Sequence, residues 1–275
     1  MSQSRRRRLD TELVRRGLAP SREAAARVIA EGRVLVGGAT AAKPSALVSP
    51  AEPVVLEGPG PRFVSRGGEK LDAALVRFGI DVAGRRVLDA GSSTGGFTDC
   101  VLQRGAASVV AVDVGRGQLH PRLRDDPRVR VLEGVNVRSL TLERAGGAPF
   151  EVVVADLSFI SLRTVAPVLL GELAAPGAEV VFLVKPQFEA GRVEASRGRG
   201  VIRRPEVWRA AVEGVGSAVA AAGAAMIEVM VSPLRGAEGN VEFLLHARAH
   251  APGPAAVPGL DAAIETAGAE ASGGG

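Results

Sequence analysis

Five short valine-rich runs, each spaced from the next by a stretch of helical pattern, constrain the fold of this 275-residue chain more than any other feature. They are RRVLDAG (85–91), SVVAVDVG (108–115), VRVLEG (129–134), FEVVVADLS (150–158) and AEVVFLVKP (178–186). Runs this short suit strands, and most are apolar at consecutive positions. Such strands are buried on both faces, which requires helices above and below a parallel sheet. EKLDAALVRFG (69–79) reads as a helix ahead of the first run. MIEVMVSPL (226–234) and NVEFLLHAR (240–248) flank the turn-rich SPLRGAEGN and suit an antiparallel pair at the end of the sheet.

The first run ends in a glycine-rich turn, VLDAGSSTGGF (87–97). In open α/β sheets ligands bind outside the carboxyl ends of the strands. A dinucleotide turn wants G-x-G-x-x-G, but here Gly91 is followed by Ser92, Ser93, Thr94, Gly95 and Gly96, with serine at the second glycine position. A phosphate loop wants Gly-Lys-Ser/Thr, and the turn has no lysine. Asp89 is placed instead to point into the turn, where a carboxylate repels phosphate and suits a cationic amino-acid portion. Asp113 ends the second run, where an acid accepts from two ribose hydroxyls. Acid, small-residue turn and second acid together describe a site for S-adenosylmethionine. The bland alternative is an ordinary tight packing turn.

The head of the chain is different in kind. Residues 1–33 hold nine arginines against four acids. A basic head points to a polyanion, most often nucleic acid, although a lone basic run is equally a solvated arm. The pattern behind it decides. LDTELVRRG reads as a helix closed by Gly17, and PSREAAARVIAEG as a second with Ser21 as its N-cap and Gly32 closing it. A strand RVLVGG, a turn at Gly37-Gly38 and a run at 54–56 complete a small α+β module over 1–60. Arg6, Arg8, Arg15 and Arg22 are its candidate phosphate contacts, with Arg5, Arg16 and Arg27 nearby. The stretch REAAARVIAEGRVLVGG resembles the small RNA-binding domain shared by a ribosomal protein of the small subunit, pseudouridine synthases and tyrosyl-tRNA synthetases.

Other segments bound the organisation. Residues 61–68 form a linker by composition, 69–250 the α/β domain, and the Ala/Gly/Pro-rich 251–275 a tail predicted to be disordered. GRVEASRGRGVIRRP (191–205) carries five arginines, among them Arg197 and Arg199, and reads as an RNA clamp or as a solvated loop. Cys100 is the single cysteine, which rules out an intramolecular disulfide; a buried helix position is its expected place. The histidines His120, His246 and His250 lack metal-ligand spacing, so no metal is expected. No signal peptide or membrane span is expected, and the cytoplasm is the expected compartment.

The motifs LDAGSSTGGFTD, VDVGRGQL, VVADLSFISL, LVKPQFE and SPLRGAEGNVEFLL, behind the basic module, resemble the TlyA/hemolysin A family of ribosomal RNA 2′-O-methyltransferases over residues 5 to 248. The resemblance implies an FtsJ-type, Rossmann-like seven-stranded methyltransferase domain that uses S-adenosylmethionine, with ribosomal RNA or ribosomal subunits as partner and cytidine as the acceptor. It also implies a Lys-Asp-Lys-Glu tetrad, matched by Lys70, Asp156, Lys185 and Glu242. Asn136 matches a family position near the adenine and is equally a turn residue. Phe97 packs on the cofactor or in the core. Ser65, Arg66 and Gly67 match an interdomain segment that relays RNA binding; Pro61-Arg62-Phe63-Val64 precedes them where the family carries an arginine and a tryptophan. Arg66 joins the RNA-binding candidates.

The chemistry has its own logic. A ribose hydroxyl is a poor nucleophile and a methyl sulfonium a good electrophile, so alignment and help in losing the proton are what an enzyme must supply. Lys185 is the natural base or oxygen-polarising group. Carbon-5 methylation of cytosine fits worse, because it uses cysteine nucleophiles and Cys100 is alone. Amino-nitrogen methylation carries an Asn/Asp-Pro-Pro-aromatic motif where this chain has Asp156-Leu157-Ser158-Phe159. A second class of function stays open at this point, a non-catalytic RNA-binding or ribosome-assembly factor that retains a methyltransferase fold.

Overall fold

A computed structural model describes residues 6–19, 21–58, 61–191, 200–236, 239–251, 253 and 256–272. The chain divides into two compact units, Met1–Val64 and Ser65–Gly275.

The first unit comprises β1 (Arg7–Arg8), α1 (Leu9–Arg15), α2 (Arg22–Ala30), β2 (Val34–Val36), β3 (Ala39–Thr40), β4 (Leu47–Val48) and β5 (Val54–Leu56). β2 pairs with β3 on one side and β5 on the other, all antiparallel, while β1 pairs with β4. Leu9 and Leu13 of α1 meet Ala25 and Ile29 of α2 over Val34, Val48 and Val54. Their spacing of four residues places each pair on one helix face. Ser21 caps α2, its hydroxyl accepting from the Ala24 N–H at 3.2 Å.

The second unit runs α3 (Arg66–Phe78), β6 (Arg86–Ala90), α4 (Gly96–Gln103), β7 (Ser108–Asp113), α5 (Pro121–Arg124), β8 (Val129–Glu133), β9 (Phe150–Ala155), α6 (Leu162–Leu170), β10 (Ala174–Val184), α7 (Pro186–Glu189), α8 (Pro205–Ala221), β11 (Ala225–Val231), β12 (Phe243–Arg248) and α9 (Leu260–Ser272). A seven-stranded sheet has the order β11-β12-β10-β9-β6-β7-β8. The five valine-rich runs are its parallel strands. β11 and β12 pair antiparallel, as expected, and β12 also inserts beside β10. Strand order reverses at β6, so the crevice outside the carboxyl ends of β6 and β9 is the switch point where such sheets bind ligands.

Two expectations need correction. The segment 61–68 does not stay a linker to its end, because α3 already begins at Arg66. The tail is not wholly irregular either. Leu260, Ala263, Ile264 and Ala267 are buried, one stripe of α9 that packs on α8 and β11. Their i, i+3, i+4, i+7 spacing is a helical signal that the Ala/Gly/Pro composition around it obscures.

Candidate active site

The turn after β6 is shaped by close approach. Gly91 has φ +88°, and a Cβ there would lie 2.4 Å from the Asp156 carbonyl oxygen, so no side chain fits. The Asp156 N–H in turn donates to the Ala90 carbonyl at 3.0 Å, which locks the ends of β6 and β9 together. Gly96 begins α4, where a Cβ would meet the Ser65 hydroxyl at 2.2 Å and the Gly68 nitrogen at 2.9 Å.

A cavity of about 690 Å³ opens at this switch point, within the range of small-molecule sites. Its lining comes from the ends of four strands: Gly91 and Ser93 after β6, Asp113 to Gly115 after β7, Val135 to Arg138 after β8, and Asp156 to Ile160 after β9. A smaller recess beside it shares Gly91, Ser93 and Asp156 and adds Ser92, Thr94, Gly96 and Phe97. Gly95 stands at the N-cap of α4 behind the recess, its Cβ position filled by Leu119 and Leu123. Phe97 is buried, and Gly67 packs against its ring.

Asp113 accepts from the Ser93 N–H at 2.8 Å and the Gly115 N–H at 2.7 Å, one on each oxygen. Each oxygen keeps a further acceptor site for a ligand hydroxyl. Asn136 lines the cavity and caps a short 3-10 turn, its Oδ1 accepting from the Arg138 N–H at 3.0 Å. Exposed Val114 and buried Leu157 supply apolar walls.

Asp89 does not point into the cavity. It is fully buried behind the turn, lines neither space, and accepts from the Thr98 hydroxyl at 2.6 Å through one oxygen. Its other oxygen has no hydrogen-bond partner among the described residues. Burial pushes its carboxyl up to about 7; the Thr98 hydrogen bond opposes this, and the charges of Asp156 and Asp113 add to it. The side chain of a strand residue alternates between faces, which is why proximity in sequence did not put Asp89 in the cavity.

Lys70, Asp156, Lys185 and Glu242 gather at the same end of the sheet as two ion pairs. Lys70 reaches from α3 to Glu242 at 2.5 Å, both side chains buried. Lys185, the residue after β10, reaches Asp156, the residue after β9, at 2.5 Å. That contact is charge pairing without hydrogen-bond alignment. Strand register joins the pairs: Val184 of β10 faces Phe243 of β12, so Lys185 and Glu242 are the next positions across from each other.

Three supporting residues escaped the sequence reading. The Lys185 amine also donates to the Ser158 hydroxyl at 3.0 Å. Glu189, buried on α7, accepts from the Ser161 hydroxyl at 2.5 Å and the Leu162 N–H at 2.7 Å. Gly236 lies so close to Glu242 that a Cβ would come within 2.1 Å of its Oε1. None belongs to a recognisable spacing, although all three fall within motifs the sequence displays.

The arginine candidates are distributed differently. Asp10 pairs with Arg8 at 2.8 Å and Arg22 at 3.0 Å, and Glu12 with Arg15 at 2.6 Å and Arg16 at 2.8 Å. Arg16 also donates to the carbonyls of Pro50 and Glu52, a structural role. Arg6 is exposed, with no ion pair among the described residues. Arg66 begins α3 and donates to the Arg235 carbonyl, so it holds the loop before Glu242. Arg197 and Arg199 lie outside the described residues. Among the described residues no group of three or more metal-ligating side chains occurs, and no helix is long and apolar enough to cross a membrane.

Comparison with known proteins agrees with this architecture. Residues 63–249 match the FtsJ-like methyltransferase family, and residues 7–54 the S4 domain. The chain is 49% identical over 96% of its length, and 98% of the relative's, to the 16S/23S rRNA (cytidine-2′-O)-methyltransferase TlyA of Mycobacterium tuberculosis. It is 38% identical to Hemolysin A of Brachyspira hyodysenteriae over 87% of this chain and 98% of that one. A solved structure from Streptococcus thermophilus that carries a hemolysin name superposes with a TM-score of 0.77 at 36% identity, covering 97% of both chains. Built from an S4 domain and a seven-stranded methyltransferase domain, the chain belongs to the TlyA family of FtsJ-like methyltransferases.

Proposed function

We propose that this protein transfers a methyl group from S-adenosylmethionine to a ribose 2′-hydroxyl of ribosomal RNA, with cytidine as the acceptor. The observation that carries the reading is the pair of Lys–carboxylate contacts, Lys70–Glu242 and Lys185–Asp156, brought to one sheet end beside the switch-point cavity. The relative's name supplies ribosomal RNA and cytidine.

The lining fits the cofactor. Asp113 has acceptor capacity for ribose hydroxyls, Val114 and Leu157 flank an apolar slot, and Asn136 stands at its rim. The turn from Gly91 to Gly96 brings backbone close without a phosphate-binding lysine. S-adenosylmethionine supplies an electrophilic methyl carbon on a sulfonium. Asp89 stabilises the turn from behind through Thr98.

Lys185 is the residue that acts on the 2′-oxygen. Having released a proton to solvent, its amine takes up the hydroxyl proton as the oxygen bonds to the methyl carbon and the methyl–sulfur bond breaks, and Asp156 keeps the side chain in place and pairs with the ammonium that forms. Lys70 and Glu242 form the neighbouring pair that fixes the charge balance of the site. The S4 domain holds the RNA by its phosphates, through Arg6, Arg8, Arg15 and Arg22, and Arg197 and Arg199, outside the described residues, add positive charge for the same polyanion.

The test is product identity. Unmodified ribosomal subunits are incubated with the full chain and methyl-labelled S-adenosylmethionine, and the RNA is digested to nucleosides. 2′-O-methylcytidine is expected. Label on a base, or no label with an intact fold, overturns the reading.

A further inference from the structure

The geometry points to Ser158 as a positioning residue for methyl transfer, its hydroxyl holding the Lys185 amine at the angle from which it meets the ribose oxygen. This rests on the reading of Lys185 given above. A lysine nitrogen has three outward directions, each an N–H bond or the lone pair. Asp156 lies 2.5 Å away as a charge contact without hydrogen-bond alignment, and Ser158 accepts the aligned hydrogen bond of the amine at 3.0 Å. The Ser158 bond thereby sets where the lone pair that meets the substrate hydroxyl points. Without Ser158 the amine pivots about Asp156 alone, and the last rotors of a long flexible side chain are again free.

The loop that carries Ser158 is built to hold a position. Phe159 has φ +65°, a left-handed backbone that is strained for an aromatic residue and persists only when its surroundings impose it. The imposition comes from the segment that bears Lys185. Four residues on, Glu189 clamps Ser161 and the first N–H of α6. Segments 156–162 and 185–189 are thus tied at both ends, Lys185 to Ser158 and Glu189 to Ser161. Ser158 itself is exposed and lines the cavity together with Asp156, so its hydroxyl is not needed to fill the core.

The experiment compares Ser158→Ala and Ser158→Thr in the full chain. Single-turnover transfer to unmodified ribosomal subunits is measured with both ligands saturating, beside calorimetry with S-adenosylmethionine and RNA titration. Misplacement of a catalytic group by about 1 Å costs about 100-fold. Ser158→Ala should therefore slow transfer by about 10- to 100-fold, with both affinities within about twofold and an unchanged thermal midpoint. Ser158→Thr, which keeps the hydroxyl, should restore most of the rate. In a Lys185→Ala background, Ser158→Ala should remove nothing further. A normal rate for Ser158→Ala, a Ser158→Thr variant as slow as it, or a loss confined to cofactor affinity would each overturn the inference. If Lys185→Ala is inactive while Ser158→Ala is normal, only the role of Ser158 falls. If Lys185→Ala is active, the reading of the site falls with it.

Discussion

Both units of this chain pair cations with carboxylates, and they differ in what is left over. In the S4 domain one carboxylate serves two guanidiniums, Asp10 with Arg8 and Arg22, and Glu12 with Arg15 and Arg16. Each cluster keeps a surplus positive charge at the surface. At the sheet end of the methyltransferase domain one carboxylate serves one ammonium, Glu242 with Lys70 and Asp156 with Lys185. No surplus remains. The cations differ as well. A guanidinium does not give up its proton in proteins and suits fixed recognition of phosphate, whereas an amine can exchange one. Stoichiometry and cation type together separate a binding surface from a reacting one.

The largest expected effect comes from exchanging the two cations. Lys185→Arg should lower single-turnover methyl transfer by about 1,000-fold or more, because the guanidinium is planar, bulky and permanently protonated. Arg22→Lys should change RNA affinity by less than about threefold, because a positive charge near phosphate is retained. Activity in Lys185→Arg, or collapse of binding in Arg22→Lys, would break the comparison.

Removing a carboxylate should separate the two lysine pairs. Glu242→Ala leaves the Lys70 ammonium buried and alone, which costs about 3–5 kcal/mol. Asp156→Ala costs less stability, because its side chain stays 24% exposed beside one of Lys185 that is 12% exposed. It should still lose most of the rate. Urea denaturation beside single-turnover assays checks both, and equal stability losses would argue against the difference in burial.

Asp10→Asn sharpens the contrast from the other side. It raises net charge by one, which by charge alone should tighten RNA binding. Placement predicts the reverse, a loss of about threefold to tenfold at fixed salt, because Arg8 and Arg22 are no longer gathered at one point. Tighter binding in a filter assay would show that the arginines need no such holding.

The smallest effects are in pH dependence, and they carry opposite signs in the two units. The Arg8 guanidinium holds the Asp10 carboxyl well below its ordinary value, and Arg15 does the same for Glu12. Their stabilisation is complete above the ordinary carboxylate range and is lost as pH falls below about 4. Asp89 is the opposite case, since burial raises it from 3.8 to about 7. The folded state keeps a proton that the unfolded state has lost, so this contribution is full below 3.8 and is lost as pH rises toward 7. The slope is at most about 1.4 kcal/mol per pH unit. Asp89→Asn should flatten it between pH 4.5 and 7 in urea denaturation of the methyltransferase domain; an unchanged slope would mean the carboxyl ionises normally.

The fold was legible where periodicity is local and repeated. Valine-rich runs gave the parallel strands, and Ser21, Gly17 and Gly32 marked helix ends that the structure reproduces. The helix at 260–272 was missed because composition outweighed its four-residue stripe. At the site, residue type and strand-end position brought out Lys70, Asp156, Lys185 and Glu242, which lie together. What sequence could not carry was direction. Asp89 faces the interior, Arg66 holds a carbonyl, and Ser158 and Glu189 act on residues 27 and 28 positions away. Such contacts depend on how β9 and β10 lie side by side, which a single chain of letters does not encode locally.

The central claim is that Lys185 reacts with the ribose oxygen and does not merely hold RNA or cofactor. Single-turnover transfer by Lys185→Ala to unmodified ribosomal subunits, with both ligands saturating, tests it most directly. The account predicts loss of at least about 100-fold in rate, with affinities for S-adenosylmethionine and RNA within about twofold of the wild type. A near-normal rate, or a loss that higher ligand concentrations restore, would contradict it.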